Sequence, residues 1–151
     1  MKTKIDFSHN IIKRLESIDD MAPILFPGNI RHQKIFVAIF VELKWSNEGF
    51  LPSLNYLTDK YGFSCRVLET VRAKMRRMGL IDHVSRFNKR YGYREGYVLS
   101  TRFTSSLKYL ADLSVRLKEK KSPQMERRER ELYNFFWFLQ YCTSPDYFII
   151  Y

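Results

Sequence analysis

The chain has 151 residues and a net charge of +10, with twelve Phe, ten Tyr and two Trp. That length suits one compact domain with helical extensions, and the aromatic content supplies a core, which excludes a disordered chain despite the charge. The longest apolar run, Ile35–Val41, has the length of a buried helix segment and not of a membrane span.

In chain order, Ser8–Ile18 carries Ile11, Ile12, Leu15 and Ile18 at helical spacing, and Asp19-Asp20 followed by Pro23, Pro27 and Gly28 is expected to end that helix. Asn29 is placed to cap a second helix running to about Leu43. Its broad apolar surface (Ile30, Ile35, Phe36, Ile39, Phe40, Leu43) suits a central helix with several neighbours. Trp45–Gly49 reads as a loop, and Phe50-Leu51-Pro52-Ser53 leads into a short helix ending near Tyr61, with Leu54, Leu57 and Thr58 inward. Gly62 fits the left-handed position that closes a helix. Ser64 follows as the N-cap of a longer helix to Met78, with Leu68, Val71, Met75 and Met78 on one stripe, and Gly79 closes it.

The period then changes. Leu80–Phe87 and Tyr97-Val98-Leu99 read as two strands joined by a basic, turn-rich stretch. A helix from about Phe103 to Lys118 repeats Phe103, Leu107, Leu110, Ser114 and Leu117 at heptad-like intervals. Ser122-Pro123 starts a last helix through about Phe138, and Leu132–Cys142 is apolar nearly all round.

Charge is unevenly placed. Met1–Asp59 balances seven basic against seven acidic side chains, whereas Ser64–Arg94 holds nine basic against two acidic ones, a net +7. A field concentrated in this way favours a polyanionic partner, with acidic membrane surfaces attracted by the same charge. The segment Leu57–Ile81 (LTDKYGFSCRVLETVRAKMRRMGLI), with its Gly-Leu-Ile exit into the next strand, closely resembles the core of the winged helix-turn-helix family. The resemblance covers about half of the chain and implies a mainly α fold with a small β-hairpin wing and double-stranded DNA as partner. It divides the chain into an N-terminal helical extension (1–28), a winged helix-turn-helix domain (29–101) and C-terminal helices (102–151).

A tight turn at Gly62 crosses the two helices and buries Leu57, Leu68 and Val71 together. In the family the second of those helices enters the major groove. Here it offers Ser64, Cys65, Arg66, Glu69, Thr70, Ala73 and Lys74. Arg66 has the chemistry to read guanine bidentately, Glu69 to accept from a cytosine amine, and Thr70 to meet a phosphate or a thymine methyl. A solvated charged face is the alternative for these residues. Arg86, Asn88, Lys89, Arg90, Tyr91, Tyr93 and Arg94 line the hairpin tip, which suits a wing tracking phosphates or entering the minor groove. For Tyr91 and Tyr93, packing that stiffens the hairpin is an equal reading. Arg72, Arg76 and Arg77 divide between phosphate contact and plain solubility.

Other chemistry is not signalled. Cys65 and Cys142 lie far apart without ligand spacing, His9, His32 and His83 are scattered, and no Walker, GxSxG, HExxH or GxGxxG motif occurs. Free thiols, no metal, no cofactor and no enzymatic activity are expected. The polar opening residues Met1–Asp6 with no apolar stretch after them add the expectation of a cytoplasmic protein. The flanking helices resemble the layout of MarR-like and PadR-like transcriptional regulators, which implies a homodimer through the C-terminal helices, with packing of those helices back on the same chain as the alternative, and leaves any effector ligand open. A replication initiator or plasmid-maintenance protein, and a winged helix used as a protein–protein adaptor, are the alternatives.

Overall fold

Ser17 starts the first substantial helix. In the computed structural model its hydroxyl accepts from the Asp20 amide at 3.3 Å while the Asp20 carboxylate accepts from the Ser17 amide at 3.1 Å, a reciprocal cap that satisfies two orphan donors. The acidic pair Asp19-Asp20 therefore opens α2 (Ile18–Leu25) and does not end a helix, as the sequence suggested. Negative charge is favoured at that end of the helix dipole. Of Ser8–Ile18, only α1 (His9–Ile12) is helical upstream of this cap. Pro23 is tolerated inside α2 because its missing N–H forfeits a single bond, to the carbonyl of Asp19.

The structure describes residues 8–85, 87–120 and 122–142, without the side chains of 137, 138 and 140–142. Asn29 caps α3 (Ile30–Trp45), its side-chain oxygen accepting from the His32 amide at 3.0 Å. Ile35, Phe36, Ala38, Ile39 and Leu43 are buried, so α3 is the central helix. A short 3-10 turn, Asn47–Gly49, leads into β1 (Phe50–Leu51), a strand where the sequence pattern predicts only an approach to the next helix. Then come α4 (Tyr56–Tyr61) and α5 (Cys65–Met78), joined at Gly62 with φ +67°, a backbone region that glycine enters without steric cost. Ser64 holds the N-cap position of α5, but its hydroxyl makes no capping hydrogen bond.

β2 (Ile81–Val84) and β3 (Gly96–Leu99) pair antiparallel, and β1 adds to the other side of β3, giving the order β1-β3-β2. The close approach of β1 requires Gly96. A Cβ there would stand 2.4 Å from the Leu51 carbonyl oxygen and 2.6 Å from the Phe50 ring. Leu25, Phe26, Phe36, Ile39, Leu57, Leu68, Val71, Met75 and Ile81 form one buried cluster in which α2, α3, α4, α5 and β2 meet. Burying each such side chain contributes about 1.5–3 kcal/mol against chain entropy.

α6 (Arg102–Lys118) starts beside this cluster, where Phe103 donates its amide to the Gly79 carbonyl at 2.9 Å and Arg102 pairs with Asp82. α7 (Pro123–Cys142) follows, and Ser122 accepts the Met125 amide at 3.3 Å as its cap. The chain divides into two compact units between Leu107 and Lys108. The fold is thus mainly α with a small antiparallel sheet, and among the described residues no helix is long and apolar enough to cross a membrane.

Candidate nucleic-acid interface

α5 is amphipathic in a way that follows from its spacing. Leu68, Val71 and Met75 are buried, while Cys65, Arg66, Ala73, Arg76 and Arg77 are exposed and Glu69 and Thr70 lie half-buried between them. Residues 66, 69, 70, 73, 76 and 77 recur every three or four positions and share one side. Thr70 donates its hydroxyl to the Arg66 carbonyl at 2.9 Å, a bond back along the helix. Arg66 makes no ion pair among the described residues. Cys65 is a free, exposed thiol.

Lys74, expected on that surface, is 8% exposed. It stands three residues from Val71 and so on the buried flank of α5. Its ammonium donates to the Leu25 carbonyl at the end of α2 at 2.6 Å and lies 4.3 Å from the centre of the Phe26 ring. Burial pushes its pKa below the ordinary lysine value. Lys74 is therefore a tie between α2 and α5 and leaves the candidate surface. Arg72 is also committed inward, to Glu69 and to the Tyr97 hydroxyl, with its guanidinium over the Tyr97 ring.

The hairpin between β2 and β3 is pinned by an Asn88–Gly92 bridge, with Asn88 donating its amide to the Gly92 carbonyl at 2.8 Å and accepting from Gly92 at 2.7 Å. The Asn88 side chain accepts the Arg90 amide at 2.8 Å, which is turn chemistry and not a free recognition group. Lys89 and Arg90 are exposed at this turn. Tyr91, a second expected contact, is 9% exposed and stacks on Phe50 with ring centroids 5.2 Å apart. It is packing, and the reason is β1, which carries Phe50 against the hairpin. Arg94 remains partly exposed but pairs with Glu48 and donates to the Tyr91 carbonyl at 3.2 Å. Tyr93 is the reverse of Tyr91, 89% exposed. Arg86 lies outside the described residues.

Ser53 and Asn55 before α4, Glu69 and Arg72 of α5, and His83, Glu95 and Tyr97 of the hairpin line a single polar depression of about 370 Å³. The strand register explains part of it, since His83 is paired with Tyr97 and its imidazole reaches Glu95 at 3.4 Å. The depression joins three elements far apart in sequence, so no local motif announces it. Among the described residues no group of three His, Cys, Asp or Glu is arranged to hold a metal ion. In comparisons with known proteins, no family model, curated protein or solved structure matches the chain.

Proposed function

We propose that residues 29–101 form a winged helix-turn-helix domain that binds double-stranded DNA as a sequence-specific transcriptional regulator. α5 lies in the major groove, and the hairpin is the wing, placed on the backbone or in the minor groove. The observation that carries this reading is the uncovered polar face of α5, with Arg66, Arg76 and Arg77 exposed, on the same small domain as a hairpin whose turn exposes Lys89 and Arg90. The order of elements supports it too: helix, short strand, short helix, Gly turn, long helix and hairpin, with the short strand added to the hairpin's second strand.

Arg66, Glu69, Thr70 and Ala73 are the residues placed to meet base edges, and Lys89 and Arg90 to meet phosphates. Lys74 and Tyr91 have no part in contact. If about five phosphates are neutralised, the logarithm of affinity falls against the logarithm of salt with a slope near −4.5. Fluorescence anisotropy on mixed-sequence duplex across a salt series measures it. A flat response, or no binding at low salt, removes the proposal.

The chain is also proposed to act as a homodimer through α7. Leu132, Tyr133, Phe135, Phe136 and Leu139 are all exposed there, a spread of apolar surface that suits a second copy better than water.

A further inference from the structure

The hairpin holds two aromatic pairs with opposite surroundings. Tyr91 and Phe50 stack inward and already brace the turn against β1. Phe87 and Tyr93 flank the Asn88–Gly92 bridge from outside and so face each other across the hairpin. Their ring centroids are 5.1 Å apart, and the residues are 61% and 89% exposed. Neither ring belongs to the buried core. Two large rings are thus brought together at the end of a braced turn and left open to water.

The cations beside them complete the pattern. Lys89 and Arg90 lie between the two rings in sequence, are exposed, and make no ion pair among the described residues. Aromatic faces next to exposed cations are what a nucleobase and its phosphate need, since every base has a π-face and every linkage a negative charge. Inside a closed duplex that π-face is already stacked. It becomes available where bases are unpaired or a base step is opened by an apolar wedge.

We infer that the hairpin tip is a base-stacking site: Phe87 and Tyr93 take the face of an unpaired nucleobase in the bound DNA, while Lys89 and Arg90 hold the adjacent phosphates. This rests on the proposed DNA binding and narrows it, because the preferred target then contains a locally opened segment and is not a uniformly paired duplex. The wing reads the opening, and α5 reads the paired stretch beside it.

The test compares the full chain on two labelled DNAs of equal length and flanking sequence, one fully paired and one with a short internal bubble carrying a fluorescent adenine analogue that dims on stacking. Wild type binds the bubbled DNA on the order of tenfold more tightly, and the analogue dims. The double substitution Phe87→Ala, Tyr93→Ala still binds paired DNA but loses the preference for the bubble and leaves the analogue bright. Tyr93→Phe keeps both. Equal wild-type affinity for the two DNAs overturns the stacking site and leaves duplex binding standing. Loss of paired-DNA binding in the double variant also overturns it, because the rings would then be bracing the hairpin. Absence of wild-type binding to either DNA overturns the proposed function itself, and the stacking site with it.

Discussion

Lys74 carries a charge into a place almost closed to water, where its ammonium has one carbonyl and one aromatic face for company. Burying a cation is costly unless hydrogen-bonded, and the Leu25 carbonyl and Phe26 ring offset part of that cost. Replacing Lys74 by Ala leaves the carbonyl without its donor and empties the space of the four-carbon stem, so stability should fall by about 1–3 kcal/mol. DNA affinity of the folded protein should not change. Arg66→Ala should do the reverse, with stability within about 0.5 kcal/mol of wild type and affinity for a selected site weaker by about 1–3 kcal/mol. Urea unfolding and anisotropy on both variants decide it, and loss of affinity without loss of stability in Lys74→Ala would put that ammonium on DNA after all. The position was legible in part. Val67, Val71, Lys74 and Met78 recur at four, three and four residues, so Lys74 interrupts an apolar stripe that is buried or half-buried. A charged side chain is ordinarily a surface residue, and that general preference masks the stripe. Tyr91 was not legible, because its partner Phe50 lies forty-one residues upstream on a strand too short to show a pattern.

At the scale of elements, α4 has only six residues, far below the length at which a helix stands alone in water. Glu42 on α3 supplies the anchor by accepting from Lys60 Nζ at 2.5 Å, from the Tyr61 hydroxyl at 2.6 Å and from the Tyr56 hydroxyl at 2.9 Å. The Lys60 and Tyr61 bonds bring the Glu42 carboxyl from 4.5 down to about 2, against the opposing effect of its burial. Burial and the Glu42 carboxylate raise Tyr56 from 10.0 to about 12. A carboxyl lowered in the folded state adds stability that is present above its ordinary value of 4.5 and is lost as pH falls through about 2. A tyrosine raised in the folded state adds stability below 10.0 that is lost as pH rises through about 12. Thermal unfolding followed from neutral pH into acid should therefore show a downward limb that flattens in Glu42→Gln, which is also less stable at neutral pH. A variant that reproduces the wild-type limb would mean that α4 is held by Leu57 in the core and not by this network. Asn29, Gly62, Gly79 and the α5 stripe were legible because caps and periodicity are local. β1 was not, since two residues cannot alternate, and α2 was hidden because Asp19-Asp20 and Pro23 look like breakers until Ser17 is seen to cap them.

Across the whole molecule, the segment of highest net positive charge and the longest run of exposed aromatic residues lie apart in sequence. The basic segment Ser64–Arg94 falls in the unit before Lys108, and the exposed aromatic residues of α7 fall in the unit after it. Leu132, Phe136 and Leu139 recur at four and three residues, and Phe135 and Tyr133 widen that stripe beyond what one side of a surface helix needs. On α6, Leu110 and Leu117 belong to the heptad-like series and are exposed as well. Fully covering a side chain of this size contributes up to about 1.5–3 kcal/mol, and several of them together work against the roughly 4–15 kcal/mol lost when two chains associate. Dimerisation would also place two α5 helices on one DNA, where the second binds at the effective concentration set by the first. Sedimentation of the intact chain at micromolar concentration should give a dimer. The full-length double variant Phe135→Ser, Phe136→Ser should sediment as a folded monomer and bind a selected two-half-site DNA at least tenfold more weakly, while single half-sites are bound as before. A wild-type chain that sediments as a monomer, or a variant that stays dimeric, would show that α7 is not the contact between copies.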